Sequence, residues 1–309
     1  MTRIYFAAGA RRWADYSTHL PAALAEAGVQ AEIVTKAPDP ATVDYIVFAP
    51  GGDITDFTPF TRARAVLGLW AGVERIVGNR TLTQPLCRMV DQGLTEGMVE
   101  WVTGHVLRHH LNLDRWIRGE PGWHQDAPPL ARERTVAMLG LGELGAACAR
   151  TLAGLNFRVL GWSRAPKTLP GIETAHGEAG LQQVLSRAGI VVTLLPATPE
   201  TENLLDARRL GWLPPGAVVL NPGRGCLIDE AALLAALDAG RLGHATLDVF
   251  RTEPLPEDHP FRGHRRVTIT PHIAAETRPY SAARVIAENI RRGEAGEPFL
   301  HLVDRTRGY

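Results

Sequence analysis

The chain has 309 residues, 45 % of them apolar, more than one hydrophobic core ordinarily organises, so two α/β domains are expected. Lys plus Arg equals Asp plus Glu at 33 each, which argues against the basic footprint of a nucleic-acid binder and the polybasic surface of a membrane-bound protein. Three unclustered cysteines, Cys87, Cys148 and Cys226, argue against a disulfide framework or thiolate zinc site; with no export leader and no run of about 18 apolar residues, a cytoplasmic protein acting on a small molecule is expected.

Apolar runs at Ile4 to Ala7, Ala31 to Val34, Tyr45 to Phe48, Val66 to Trp70 and Leu86 to Val90 read as strands of a small parallel sheet, with Trp13 to Ala27 helix-like. From Thr95 to about Leu113, Met98, Trp101, Val102, His105, Val106 and His109 recur at helical spacing, before a Pro/Gly/Trp-rich segment from Gly119 to Leu130. This is a linker helix followed by a wrapping loop. His105, His109 and His110 include an i, i+4 pair, but no third ligand follows at metal-site spacing, so they read as linker-helix or dimer-surface residues. Candidate strands at 135–139, 158–162, 190–195, 217–220, 244–249 and 267–270 alternate with Ala- and Leu-rich helical stretches, the pattern of a Rossmann doubly wound parallel sheet. After Pro279, a helix to Arg292 and the run Phe299 to Val303 are too short for a third domain and return to the first. The expected plan is α/β throughout: a smaller flavodoxin-like substrate domain, residues 1–97 and 279–309, with a cofactor domain, 98–278, inserted.

The strand Thr135 to Leu139 runs into Gly140, Gly142 and Gly145, with Glu143 and Leu144 opening the helix whose N-terminus would hold a pyrophosphate. A second strand ends at Trp162. There an NAD site normally carries an acid for the ribose 2′-hydroxyl, but this chain has Ser163 and Arg164, with Lys167 just beyond. Ser163 can donate a hydrogen bond and the two cations can neutralise a 2′-phosphate, so NADPH is expected over NADH, with NADH as the alternative.

Ligands of open α/β sheets bind beyond the carboxyl ends of strands, so Leu195, Pro196, Asn221, Asp248 and His272 should line one crevice, with Asp248 able to bond a nicotinamide carboxamide. Within Asn221 to Gly225, glycines let backbone approach a nicotinamide while Arg224 points at an anionic substrate. Histidine in water titrates near 6.5, so a proton donor working at about neutral pH benefits from a carboxylate neighbour. Glu253 is the candidate partner of His272. Arg224, Glu253 and His272 in this order fit a reductase of small 2-keto acids, with a cation for carboxylate and carbonyl and an acid for the alkoxide.

Together Gly140 to Gly145, Trp162-Ser163-Arg164, Leu195-Pro196 with Thr198 and Thr201, Asn221 to Gly225, Asp248-Val249-Phe250, Glu253-Pro254-Leu255-Pro256 and Thr270 to Ala275 carry a resemblance. The chain resembles the D-isomer-specific 2-hydroxyacid dehydrogenases, more narrowly their glyoxylate/hydroxypyruvate reductase A branch, over essentially its whole length. The resemblance implies NADPH-dependent reduction of glyoxylate to glycolate and of hydroxypyruvate to D-glycerate, Arg224 binding substrate, His272 donating the proton with Glu253 behind it, and a homodimer. It implies cofactor contacts from Gly223, Thr201 and Ala274, and a substrate-carboxylate nest of backbone amides at Ala71, Gly72 and Val73. Trp70 would wall that pocket and Arg88 add charge. Phe48 stands where the branch tends to have tryptophan, and Trp70 where glycine is usual. A dehydrogenase of another D-2-hydroxy acid is the rival enzyme; a non-catalytic nucleotide sensor is the rival of another class, disfavoured by Arg224, Glu253 and His272.

Overall fold

Strict apolar alternation is absent from the first strands because both of their faces are covered. Ile4 and Phe6 enter one core, Tyr5 and Ala7 another, as in parallel sheets buried on two sides. The computed structural model describes residues 1–119, 121–123 and 125–309; the expected loop 119–130 includes Glu120 and His124, which lie outside the described residues. The chain divides into two units, Met1–Leu94 with Glu276–Tyr309, and Thr95–Ala275.

The first unit begins with β1 (Thr2–Phe6), α1 (Ala10–Tyr16), α2 (His19–Glu26), β2 (Ala31–Val34), β3 (Tyr45–Phe48), β4 (Ala65–Gly68) and β5 (Leu86–Cys87). Its five strands are parallel in the order β2-β1-β3-β4-β5. The helix-like stretch from Trp13 is two helices: Pro21 has no amide to continue a helix from the preceding turn, and the chain breaks at Ser17 and Thr18.

In the second unit, α3 (Gln92–His110) enters from the first and leads to α4 (Leu113–Ile117), β6 (Thr135–Leu139), α5 (Glu143–Gly154), β7 (Arg158–Ser163), β8 (Glu173–His176), α6 (Gly177–Leu185), β9 (Ile190–Thr193), α7 (Ala207–Leu210), β10 (Ala217–Asn221), α8 (Glu230–Asp238), β11 (Leu242–Leu247) and β12 (Val267–Ile269). Its sheet has seven parallel strands, ordered β12-β11-β10-β9-β6-β7-β8. The seventh is β8, an edge strand whose sequence, Glu-Thr-Ala-His, has no apolar run; pairing with β7 defines it. Val136, Met138 and Val192 pack with α3 and α5 on one face, while Ala137, Leu139 and Val191 pack with α6 and α8 on the other. Chain order reverses between β6 and β9, the crevice where open sheets bind ligands. The strand ends are level: Trp162, Leu139 and Thr193 are in register, as are Asn221, Leu247 and Ile269.

The first unit is completed by α9 (Pro279–Ala295), which packs Ala283, Ile286 and Ile290 onto the same face as Leu20 and Leu24 of α2. The run Phe299 to Val303 does not extend the sheet as a full strand; Leu302 makes an isolated antiparallel bridge to Cys87.

Two linker-helix neighbours carry a pH dependence. His109 Nε2 lies 2.9 Å from Thr246 Oγ1, His244 Nε2 lies 2.8 Å from Thr268 Oγ1, and the two rings are 4.9 Å apart. Burial, then the charges of His244 and Arg108, pushes His109 down to about 3; burial and then Arg108 push His244 down to about 4. Unfolded, both titrate near pH 6.5, so below that pH the unfolded chain binds more protons. Their stabilising contribution is therefore complete above about pH 6.5 and lost as pH falls towards 4, at up to about 1.4 kcal/mol per pH unit for a fully neutral buried histidine. Urea midpoints at about pH 7 and 5 should reveal the loss, and H109Q should shallow it. An unchanged slope in the variant would contradict this account.

Candidate active site

The glycine turn has three distinct backbone requirements. Gly140 sits at φ 104°, and a Cβ there would strike the Leu194 carbonyl oxygen across the β6–β9 crevice. A Cβ on Gly145 would strike the carbonyl of Gly140, so the first turn of α5 lies directly on the strand end. Gly142 caps α5 with open space where a side chain would project, leaving the helix N-terminus accessible to an anion. Glu143 in that first turn is exposed and Leu144 half-buried.

The basic segment after β7 turns back to the glycines. Lys167 Nζ donates to the Leu141 carbonyl at 2.5 Å, Ser163 Oγ donates to the Ala165 carbonyl at 2.7 Å, and Trp162 Nε1 donates to Gly177 O at 2.9 Å. Arg164 is exposed. Its charge also helps to hold the Glu200 carboxyl below its usual range, after the larger effects of the Thr198 hydroxyl and the backbone. Past β9, the loop carrying Leu195 and Pro196 is folded by Thr201, whose hydroxyl donates to Pro196 O at 2.7 Å and accepts from the Thr198 amide at 2.9 Å.

The turn after β10 is held from beneath. Asn221 is buried; its Oδ1 accepts from Thr193 Oγ1 at 2.7 Å and from the Gly223 amide at 3.2 Å, and its Nδ2 donates to Arg224 O at 2.9 Å. Its side chain organises the turn. Arg224 is half-buried, with Nη1 donating to Gly223 O at 2.7 Å. Gly225 touches the Phe250 backbone so closely that no side chain would fit. The Phe250 amide in turn donates to Glu253 Oε1 at 2.9 Å, and Glu253 Oε2 lies 2.7 Å from His272 Nδ1. These contacts connect the segments carrying Arg224, Glu253 and His272. Glu253 thereby leaves Nε2 of the half-exposed imidazole without a partner among the described residues.

His272 has φ 55°, a left-handed conformation uncommon for a residue with a Cβ. Asp248 supplies the constraint. At 1 % exposure, its Oδ1 accepts from Thr270 Oγ1 at 2.5 Å and the Ile273 amide at 2.9 Å, its Oδ2 accepts from the Ala274 amide at 3.0 Å, and its carbonyl accepts from the His272 amide at 2.8 Å. Asp248 thus anchors the histidine loop at the carboxyl end of β11. Trp101 Nε1 donates to Thr270 Oγ1 at 3.3 Å, and Ala274 is buried beside α3. Sequence reading assigned no chemistry to Trp101, Thr193 or Thr270. Threonines at the carboxyl ends of two strands were the available signal. Cys226, next to the turn, is no activated nucleophile: burial and then Glu202 push its thiol up.

In the first unit, the amides of Ala71, Gly72 and Val73 follow β4 and donate to nothing among the described residues, so three successive N–H groups are available to an anion. Trp70 is half-buried and its carbonyl accepts from the Met89 amide at 3.0 Å. Arg88 is half-buried, its amide bonded to His301 O at 3.1 Å. Phe48, expected at the pocket, is 7 % exposed and packs edge-on against Phe57 in the core. Among the described residues, no group of three metal-ligating side chains occurs and no helix is long and apolar enough to cross a membrane.

Residues 102–274 match the profile of the D-isomer specific 2-hydroxyacid dehydrogenase, NAD binding domain. The chain is 39 % identical over 257 residues to glyoxylate/hydroxypyruvate reductase A of Serratia proteamaculans, covering 80 % of this chain and 82 % of that protein. Among solved structures, a D-isomer specific 2-hydroxyacid dehydrogenase from Xanthobacter autotrophicus in complex with NADPH and MES is 40 % identical and superposes with a TM-score of 0.91, covering 100 % of this chain and 99 % of that one. The NADPH-dependent glyoxylate/hydroxypyruvate reductase from Sinorhizobium meliloti in complex with NADP and sulfate is 33 % identical with a TM-score of 0.85, covering both chains fully at 100 %. Glycine turn, guanidinium turn and acid-backed histidine thus stand on one sheet of a chain with these relatives, and the chain belongs to the D-isomer specific 2-hydroxyacid dehydrogenases, NAD(P)-dependent oxidoreductases, in the glyoxylate/hydroxypyruvate reductase A branch.

Proposed function

We propose that this protein reduces small 2-keto acids with NADPH, converting glyoxylate to glycolate and hydroxypyruvate to D-glycerate. The observation that carries the reading is His272 bonded through Nδ1 to Glu253, with Nε2 left for a substrate oxygen. The cofactor site fits a dinucleotide: open space at Gly142 admits pyrophosphate to the α5 N-terminus, while Ser163, Arg164 and Lys167 stand at the end of β7, where a ribose phosphate would lie. Bound NADPH supplies the hydride. Arg224 holds the carboxylate and carbonyl of the keto acid; within the first unit, the Ala71, Gly72 and Val73 amides are donors suited to a carboxylate and Arg88 adds positive charge. His272 gives its proton to the alkoxide oxygen, and Glu253 stabilises and orients the imidazolium before transfer.

Relatives crystallised with NADPH or NADP support the choice of cofactor. R164A is expected to weaken NADPH about 10- to 100-fold more than NADH, the value of a charge-assisted bond to the 2′-phosphate. Fluorescence titration with each nucleotide checks this; an unchanged preference would remove Arg164 from the phosphate contact. Loss of NADPH absorbance with glyoxylate or hydroxypyruvate tests the activity itself, and no turnover with either refutes the substrate assignment. We further propose a cytoplasmic homodimer, supported by exposed Trp116, Ile117, Trp123 and Leu130, an apolar set that a partner would cover.

A further inference from the structure

The carboxyl edge of the first unit's sheet carries a cavity of about 550 Å³ that the reductase reading does not use. It opens beyond β1 and β2, whereas the Ala71–Val73 amides follow β4, which pairs with neither of them. Because it lies at the strand ends, residues from both faces of the sheet reach it: Phe6 and Trp13 from one core, Tyr5 and Ala37 from the other. The Phe6 and Trp13 rings meet at 5.1 Å with a tilt of 59°, and Trp13 is only half-buried, so aromatic surface remains for a ligand. Between them and β2 the wall is bare at Gly9, where a Cβ would meet nothing within 4 Å.

Two opposite charges belong to the same wall. Lys36 follows β2, and Asp53, from the chain after β3, is fixed just past β1 by its amide, which donates to Ala7 O at 3.0 Å. Since β2 and β3 flank β1, the two side chains come from opposite sides of it. Elsewhere in this unit charges are paired, Arg3 with Glu32, Arg62 with Asp44 and Arg64 with Glu294, but Lys36 and Asp53 make no ion pair among the described residues, with each other or with any third group. Tyr5, 5 % exposed and stacked on Phe60, has a hydroxyl without a hydrogen-bond partner among the described residues. Burial and then the Asp53 charge push this phenol up, so the carboxylate stands near enough to act on it. A nearly buried hydroxyl without a partner carries a desolvation cost that a polar group of a ligand would offset.

We propose that this cavity binds an apolar α-amino acid as its zwitterion: the ammonium donates to the Asp53 carboxylate and the Tyr5 hydroxyl oxygen, the carboxylate accepts from Lys36, and the side chain lies on the Phe6 and Trp13 rings. A simple carboxylate or a simple amine satisfies one of the two protein charges and brings no partner to the other. A diacid sets a second negative charge against Asp53, so the pair of opposite charges selects the zwitterion. Every residue involved lies in the first unit, and the site is independent of the keto-acid chemistry.

The test is titration calorimetry of the whole protein with L-phenylalanine, 3-phenylpropanoate and 2-phenylethylamine, which share an aromatic body and differ in their charged groups. Wild type is expected to bind phenylalanine about 10-fold more tightly than either analogue, the value of one charge-assisted bond. K36Q should erase the difference between phenylalanine and 2-phenylethylamine, and D53N the difference between phenylalanine and 3-phenylpropanoate. Absence of phenylalanine binding, equal binding of all three ligands by wild type, or binding of phenylalanine by K36Q and D53N as tight as by wild type overturns the proposal. Both substituted side chains are exposed, and an unchanged melting temperature without ligand shows that each variant folds. The three-ligand comparison on wild type needs no variant at all, and it holds or fails whether or not the protein reduces keto acids.

Discussion

Replacing His272 with alanine is expected to lower kcat by about 10²- to 10⁴-fold, the usual contribution of a positioned general acid, while NADPH affinity changes little. The reason lies in how the ring is held. Nδ1 is committed to Glu253 at 2.7 Å, so the proton available for transfer is on Nε2, and the Asp248 carboxylate fixes the loop on either side of the residue. Removing the imidazole leaves these backbone bonds intact, so the variant should fold and bind nucleotide normally. E253Q can still accept from Nδ1–H through its amide oxygen, but its amide nitrogen then faces the Phe250 N–H and that bond is lost; with the negative charge gone as well, the imidazolium is stabilised less, giving a smaller loss than H272A and an altered pH–rate profile. Steady-state kinetics beside nucleotide titration separates the two quantities. If H272A loses nucleotide affinity and turnover in the same proportion, the ring is part of the cofactor site and not the proton donor.

Replacing Arg224 with alanine is expected to cost about 10²- to 10³-fold in kcat/KM, comparable to removing one charged donor aimed at developing negative charge. Its turn is supported independently by Asn221, which bonds Thr193, the Gly223 amide and the Arg224 carbonyl, so truncating the side chain should not unfold the loop. R224K is expected to recover little, because a point ammonium cannot reproduce a two-pronged contact to carboxylate and carbonyl. Full activity in R224K would mean that charge alone matters and that the planar clamp is not used.

Much of this protein is legible along the chain because the relevant signals are local. Apolar runs, the Gly140–Gly145 spacing and the residues that follow strands 217–221 and 267–269 lie within short windows, and such windows are enough to identify the fold class and the enzyme family. β8 escaped because a polar edge strand exists only through its neighbour, and the break between α1 and α2 escaped because the apolar spacing runs across it.

Family, parallel α/β architecture and the residue types available for hydride-transfer chemistry can all be read along the chain. How these residues are held depends on contacts made in the folded chain: Asp248 braces the His272 loop, Asn221 builds the Arg224 turn, Lys167 sits against the Leu141 carbonyl, and Arg12 lies over Trp70. Each of those contacts joins segments from different elements or turns, and a buried polar group takes whichever partner the packing brings within hydrogen-bond reach, so its role follows from packing and not from its neighbours in sequence.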